Sequence, residues 1–328
     1  MGGEFIEMIA YDNCTPELKD FLTYLEVIKG KSKNTVKAYY YDLNLFYRYI
    51  KIKNSNNLSI DKINEIDISD IPFKWIKKIR LSDLYDFMNY VNQNRSNSSS
   101  ARARKVSCLK TFFKYLTNKA ELIDIDPTLE LDAPKISKKL PKYLDLDSSI
   151  QLLNTAQSNN QRDFCILTLL LNCGLRVSEL VGINNTDIRG DNLRVTGKGD
   201  KERQVFLNSA CLKAIEEYKA VRPKAKPTSS NAFFLNKNNE RIGVRGVQMI
   251  VKKYLMLSGL DYTTYSTHKL RHTAATLMYK YGNVDVLALQ KILGHTNLST
   301  TQIYTHTDEK QIKDAMNKNP LAKFDEKK

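Results

Sequence analysis

The chain has 328 residues, of which 42% are hydrophobic and 27% charged; this is ordinary for a folded globular protein and long enough for two domains. Lys and Arg outnumber Asp and Glu by 51 to 36, and the formal net charge of +15 indicates a polyanionic partner, usually nucleic acid, with mere solubility as the alternative. The longest apolar run, Phe164–Leu171, falls short of the roughly 18 residues of a membrane-spanning helix, and the basic residues do not gather on one amphipathic helix, so we expect no membrane partner.

Cysteine usage and the first residues bear on the compartment. The five cysteines form no Cys-x-x-Cys pair, as expected for thiols that serve as small apolar groups in a reducing cytoplasm. Glu4 and Glu7 interrupt the apolar residues of the first ten, which is not the pattern of a secretory signal. We therefore expect a cytoplasmic protein.

Helical periodicity dominates residues 15–125, which we expect to form a helical amino-terminal domain. Helices are predicted from Thr15–Pro16, from Asn34–Thr35 after a break at Gly30, over Leu81–Val91 and over Ala101–Asn118. The last helix has an apolar face, and its opposite face carries basic residues that we expect to contact DNA. These are Arg102, Arg104 and Lys105.

Residues 126–143 are predicted to link two domains, because Pro127, Pro134 and Pro141 prevent a continuous helix. Lysines charge this segment, and Lys139 is its predicted DNA contact. A basic linker between basic domains suits a path along a DNA duplex, although a solvated tether explains the same composition equally well.

Residues 144–328 are predicted to form a second, mixed domain. Helices are expected at residues 150–156, 163–172, 209–220, 244–258, 267–280, 284–293 and 300–306. Alternating apolar residues over Leu193–Leu207, around Gly197 and Gly199, predict a β-hairpin. The predicted fold class is mainly α: a helical amino-terminal domain and a mostly helical second domain with a small antiparallel sheet.

All four histidines fall between His268 and His306, and this clustering marks a candidate site. His268 and His272 have the i, i+4 spacing of zinc-binding helices, but Lys269 stands where that motif needs Glu, so we expect no metal. His268 shares a helix face with Arg271, whose guanidinium fork suits two phosphate oxygens, with a local salt bridge as the alternative.

Two further cations are notable for their surroundings. Arg176 lies in an apolar stretch, so its charge needs a partner or a ligand, and we expect Glu179 to pair with it and orient it. Lys198 lies at the tip of the predicted hairpin, from which an ammonium can reach a leaving oxygen. A nucleotide-binding P-loop is excluded, because Asn192 and Gly199 replace the glycine and the hydroxyl residue that it requires.

Tyr304 is one of 18 tyrosines, and in isolation a packed aromatic residue is the better interpretation. Its hydroxyl, with an ordinary pKa of about 10, is a poor nucleophile at neutral pH unless neighbouring cations and bases assist it. It follows His295 by nine residues and comes after Arg176, Lys198 and Arg271, which are residue types that supply such help.

Five motifs together resemble the tyrosine recombinase (phage integrase) family, and they occur in that family's order. They are GLRVSEL (Gly174–Leu180), TGKGDKER (Thr196–Arg203), HKLRH (His268–His272), LGH (Leu293–His295) and STTQIYTH (Ser299–His306). The amino-terminal half resembles the family's helical core-binding domain, so the resemblance covers about residues 15–310. The chain is most similar to the Xer-type recombinases, which resolve chromosome dimers in bacteria.

The resemblance implies a site-specific recombinase that cuts and rejoins DNA through a 3′-phosphotyrosyl intermediate. The implied roles are as follows: Tyr304 is the nucleophile, Arg176 and Arg271 hold the phosphate, Lys198 is the general acid, His268 is the general base, and His295 donates a hydrogen bond to the phosphate. His272 and Glu179 would support these groups. No metal, nucleotide or other cofactor is implied.

The implied partners are a double-stranded DNA recombination site, other copies of the chain in a tetramer, and a paralogous recombinase as a second type of subunit, in the bacterial cytoplasm. Two alternatives stay open: a phage or mobile-element integrase of the same family, and a type IB topoisomerase-like nicking enzyme. The full set of site residues argues against a third, a DNA-binding accessory protein, because a binder has no need of it. The stretch Ile52–Lys78 is longer than the family's usual connection between early helices, so its contacts are not predicted.

Overall fold

A computed structural model describes residues 13–55, 57–135, 142–197, 202–282 and 284–294. The chain divides into two compact units, Met1–Lys138 and Lys139–Lys328, each with its own hydrophobic core. Both units are mainly helical and the second holds a small antiparallel sheet, which confirms the predicted fold class. No helix in the described ranges is long and apolar enough to cross a membrane.

The first unit contains α1 (Pro16–Thr23), α2 (Lys33–Lys53), α3 (Phe73–Lys77), α4 (Leu81–Gln93) and α5 (Ser99–Asn118). Thr15 is the N-cap of α1, a π turn continues it to Ile28, and Gly30 turns the chain at φ +57°. The apolar faces of these helices meet in a core of aromatic rings, in which Phe21 packs edge-on against Phe112. The helix faces predicted from the apolar periodicity are thus the faces that pack in this core.

The stretch Ile52–Lys78 is part of the core of the first unit. It forms a 3-10 helix (Ile60–Glu65) and α3, and it buries a row of isoleucines. They are Ile63, Ile66, Ile68, Ile71 and Ile76. Arg48 of α2 also donates from Nε to the carbonyl of Ile66 at 2.8 Å. Apolar burial and this bond fix the stretch to α2.

The basic face of α5 differs from the prediction at one residue. Lys105 is only 6% exposed, and its Nζ lies 2.6 Å from Oδ1 of the buried Asp42, to which Arg104 also donates. The prediction that Lys105 lies on the solvent face is therefore wrong. The Asp42 carboxylate on α2 is buried, and leaving its charge unpaired would cost about 3–5 kcal/mol, so the Lys105 ammonium lies inward against it. Arg104 remains 50% exposed.

Both ends of the predicted linker are fixed to the units. Leu131 is buried in the core of the first unit, and Asp126 accepts a hydrogen bond from the backbone N–H of Thr128 at 2.8 Å. In the second unit, the N–H of Leu144 donates to Oγ1 of Thr273 at 2.9 Å. Residues 136–141, and with them Lys139, lie outside the described residues.

The second unit contains α6 (Leu146–Gln157), α7 (Gln161–Cys173), α8 (Val177–Gly182), β1 (Ile188–Arg189), β2 (Asn192–Thr196), β3 (Glu202–Phe206), α9 (Ser209–Val221), α10 (Val244–Leu257), α11 (Thr267–Tyr281) and α12 (Val286–Leu293). The sheet has the order β1-β2-β3 and is antiparallel, with Leu193 opposite Val205 and Val195 opposite Arg203. The predicted hairpin strands are confirmed, and residues 198–201 between them lie outside the described residues.

Helix α7 is the buried centre of the second unit. It is apolar on nearly all sides, as expected of a helix that is covered all round, and it packs against α6, α9 and α11. Its end therefore lies inside the unit, close to the helices that carry the predicted site residues.

Candidate active site

Two helices of the second unit end at left-handed glycines that converge on one arginine. Gly174 ends α7 at φ +58° and Gly294 ends α12 at φ +63°, the left-handed conformation that glycine adopts readily at the end of a helix. Arg271 on α11 donates from Nη1 to the carbonyl of Gly174 and from Nη2 to that of Leu293 at 2.6 Å. The guanidinium thus lies between the negative ends of two helix dipoles, which stabilise its charge.

Gly174 has a second reason to be glycine. A Cβ added there would lie 2.8 Å from Cδ2 of Leu293 and 3.5 Å from Cβ of Ala274. The ends of α7 and α12 therefore pack closely, and a side chain at position 174 would force the Leu293 side chain to shift.

Arg176 and Glu179 form the ion pair expected from their spacing. Arg176 is the N-cap of α8, where the Glu179 carboxylate accepts from its backbone N–H at 2.8 Å and from its Nη1 at 2.8 Å. Nη2 of Arg176 donates to the carbonyl of Gly294 at 3.1 Å. The Glu179 side chain has no exposed surface, whereas the Arg176 side chain is 39% exposed. The carboxylate thus fixes Arg176 from the buried side and leaves part of this side chain exposed.

Arg203 on β3 is a third arginine in this cluster, and no role is predicted for it from the sequence. Its Nη1 lies 3.0 Å from Oε1 of Glu179 and its Nη2 donates to Oε2 at 3.2 Å. Arg271 also lies within 3.9 Å of the same carboxylate. The available signal was alternation along the strand, because Arg203 shares the inward face with the buried Val205 and an inward charge needs a partner.

The charges of this cluster do not cancel. Three guanidiniums contribute three positive charges and Glu179 contributes one negative charge, so these four groups together carry two positive charges. Inside a protein, such an excess attracts an anion more strongly than it does in water. The cluster is therefore suited to a phosphodiester and, still better, to the more negative transition state of its cleavage.

His268 and His272 lie beside this cluster on the first turns of α11. Their Nε2 atoms are 3.1 Å apart and their rings are perpendicular. Partial burial, Arg271, Lys269 and Arg176 lower the pKa of His268. Partial burial and the neighbouring His268, Lys269 and Arg271 lower the pKa of His272 to about 4. Both rings are therefore neutral at pH 7, and a neutral ring can accept a proton.

The lowered pKa of His272 predicts a pH-dependent stability. The unfolded chain protonates this ring near its ordinary pKa of about 6.5, but the folded chain does so only near pH 4, so the free energy of unfolding falls as pH drops through that window. Between pH 7 and pH 5, we expect the free energy of unfolding of the variant His272→Asn to fall by about 1–2 kcal/mol less than that of the wild type. Urea denaturation at both values measures the difference, and an equal loss in both proteins would contradict it.

The remaining predicted residues have mixed outcomes. Arg102 lies in the first turn of α5, where Nη1 donates to the carbonyl of Asn97 at 3.4 Å and Nη2 to Oγ of Ser99 at 3.4 Å. Lys198, His295 and Tyr304 lie outside the described residues, so their roles remain predictions. Within the described ranges, no group of three or more His, Cys, Asp or Glu is placed to hold a metal ion.

Comparison with known families decides the identity of the fold. A model described as the phage integrase family matches residues 142–311, and one described as phage integrase, N-terminal SAM-like domain, matches residues 18–120. The chain belongs to the phage integrase family of tyrosine recombinases. This membership confirms the resemblance inferred from the five motifs.

Two relatives have similar lengths. Tyrosine recombinase XerC of Caldanaerobacter subterraneus subsp. tengcongensis is 51% identical over 97% of this chain and 90% of its own. Tyrosine recombinase XerD of Staphylococcus epidermidis is 33% identical over 90% of this chain and 95% of its own. Since both are tyrosine recombinases, the family assignment holds over nearly the whole chain.

Two solved structures share the fold. The XerH site-specific recombinase bound to palindromic difH substrate, in a post-cleavage complex, matches with a TM-score of 0.66 and 21% identity over 92% of this chain and 94% of its own. A lambda integrase dimer bound to a core site matches with a TM-score of 0.64 and 16% identity over 87% of this chain and 95% of its own. At these identities the comparison supports the fold alone.

Proposed function

We propose that this site-specific recombinase acts in Xer-type chromosome dimer resolution, and that it cuts DNA by attack of Tyr304 on a backbone phosphate. The observation that carries the chemistry is the cluster of three arginines on the single buried carboxylate of Glu179. The Xer role is supported by the name of the 51% identical relative, tyrosine recombinase XerC.

The arginines act on the phosphate. Arg176, partly exposed and held by Glu179, binds non-bridging oxygens, and Arg271 contributes its permanent charge from the buried side of the site. The bonds of Arg271 to the carbonyls of Gly174 and Leu293 hold its guanidinium in a fixed position. Negative charge that builds up on the phosphate is thereby neutralised by groups already in position.

The remaining roles concern protons. His268, neutral at pH 7, takes the proton of the Tyr304 hydroxyl, and His272 buttresses it from 3.1 Å. Lys198 protonates the departing 5′ oxygen, and His295 donates a hydrogen bond to the phosphate. The 3′-phosphotyrosyl bond stores the energy of the broken phosphodiester, so the 5′-hydroxyl of a partner strand reverses the step without a nucleotide, metal or other cofactor.

Substrate and partners follow from this chemistry. The substrate is a double-stranded DNA recombination site in the bacterial cytoplasm, and strand exchange between two sites calls for a tetramer, which includes a paralogous recombinase where the two halves of the site differ. Arg102 and the half-exposed Arg104 in the first unit, with Lys139, contact the DNA backbone. Lys105 does not belong to this set, because its amine is buried against Asp42.

The biological role is tested by sequencing the DNA that becomes covalently attached to the protein inside the bacterium that produces it. For chromosome dimer resolution, we expect the trapped ends to map to one chromosomal locus, and a plasmid with two copies of that locus to undergo exchange. Trapped ends at the borders of a mobile element would indicate an integrase instead. Ends scattered over the genome, with relaxation of supercoils but no exchange, would favour a topoisomerase-like enzyme.

A further inference from the structure

Arg203 holds three parts of the second unit together. It lies on β3, its Nη2 donates to Oε2 of Glu179 at the start of α8 while its Nη1 lies 3.0 Å from Oε1, and its Nε donates to the carbonyl of Ile292 at 3.3 Å near the end of α12. These parts come from distant stretches of the sequence. A single planar guanidinium therefore sets the position of a strand, a carboxylate and a helix end at once.

The contact with α12 is close. A Cβ added at Gly294 would lie 2.8 Å from Cδ and 2.9 Å from Nε of Arg203. The carbonyl of the same glycine accepts from Arg176. Gly294 is thus held between two arginines that share the carboxylate of Glu179, and any shift of Arg203 moves the groups that orient Arg176.

Arg203 is poorly placed to bind DNA itself. Its side chain is 16% exposed, against 39% for Arg176, and its fork faces Glu179. Burial lowers the pKa of its guanidinium, which nevertheless stays charged at any physiological pH. Burying such a charge carries a free-energy cost that its partners must offset. This arginine therefore contributes by fixing the positions of its partners and not by adding charge to the surface.

We propose that Arg203 is a positioning residue for DNA cleavage: it locks the Glu179 carboxylate and the end of α12 in the arrangement that presents Arg176 to the phosphate. This inference rests on the proposed function. Arg203 acts through Glu179 and Arg176, and it also fixes the strand that follows Lys198 and the glycine that precedes His295 in the sequence.

The test is single-turnover cleavage of a nicked suicide substrate at saturating DNA. We expect Arg203→Ala to slow cleavage about 10- to 100-fold with less than about a threefold change in DNA affinity, because misplacing a phosphate ligand affects the transition state most. Arg203→Lys keeps the charge but loses the fork, and we expect an intermediate rate. The matched control is Arg194→Ala on β2, which removes an exposed arginine paired with Asp187 and should remain within about threefold of the wild type.

A double-mutant cycle with Glu179→Gln identifies the route of the effect. If Arg203 acts through Glu179, the two substitutions together slow cleavage by much less than the product of their separate effects. Independent effects that multiply, a rate for Arg203→Ala within threefold of the wild type, or an equal loss in Arg194→Ala would each overturn the proposal.

Hydrogen exchange separates this proposal from the proposed function. In DNA-free protein, we expect Arg203→Ala to speed amide exchange in the last turn of α12 by a clearly larger factor than in α7, beyond the uniform increase that a global loss of stability causes. An unchanged rate of amide exchange in α12 would contradict the proposal that Arg203 fixes the end of this helix. If the wild type itself forms no covalent adduct, the proposed function fails, whereas the exchange result still reports on the lock.

Discussion

Replacing Tyr304 with Phe is expected to abolish formation of the covalent protein–DNA adduct, with a loss of at least about 10⁴-fold in the rate of cleavage, because no other hydroxyl replaces the nucleophile. The variant should still bind its DNA site with near wild-type affinity, since the phosphate is held by arginines. Denaturing electrophoresis of a trapped suicide substrate measures the adduct, and a binding titration measures the affinity.

A second tyrosine provides the control for this substitution. Tyr281 at the end of α11 is 67% exposed, so Tyr281→Phe removes a hydroxyl of the same kind from the surface and should leave adduct formation unchanged. An adduct of normal yield in Tyr304→Phe would contradict the assignment of the nucleophile. A loss of DNA binding together with cleavage would show that the substitution acts on more than the chemistry.

Replacing Glu179 with Gln is expected to damage stability and catalysis together. The amide keeps the shape of the side chain but removes the negative charge that Arg176, Arg203 and Arg271 share. Removing one partner from a buried ion pair costs about 3–5 kcal/mol, so we expect a loss of that order in the free energy of unfolding. Cleavage by the folded, DNA-bound fraction should slow about 10²- to 10³-fold, because the phosphate ligands lose their alignment.

Glu216 offers the matched comparison. It lies on α9 with 70% of its side chain exposed and pairs with Lys219, so Glu216→Gln should change stability by less than about 1 kcal/mol and leave cleavage unchanged. Urea denaturation and single-turnover cleavage measure the two effects. If Glu179→Gln were as mild as Glu216→Gln, the carboxylate would not organise the site.

Local signals in the sequence predicted most of the fold. The break predicted at Gly30 is a glycine at positive φ, a backbone conformation that other residues rarely adopt. The helices follow from a period of 3.6 residues, and the hairpin follows from a period of two. The pair Arg176–Glu179 was also predictable, because its members lie three residues apart in one turn of helix.

Contacts between residues far apart in the chain could not be predicted from local sequence patterns. Nothing local to Lys105 indicates that Asp42, on another helix, draws its amine into the core. Likewise, Glu179 lies 24 residues from Arg203 along the chain, and the two meet because α8 packs against β2, the neighbour of β3 in the sheet. The resemblance to a family supplied the roles of Lys198, His295 and Tyr304, which lie outside the described residues and remain predictions.

Identification of the residue that becomes attached to DNA tests the central claim most directly. Wild-type protein is trapped on a suicide substrate, digested with protease and nuclease, and the nucleotide-bearing peptide is sequenced by mass spectrometry. We predict one modified peptide, with the nucleotide joined through its 3′ phosphate to the oxygen of Tyr304, formed equally well in the presence of a metal chelator. Attachment at another residue, or through a 5′ phosphate, would contradict the proposed mechanism.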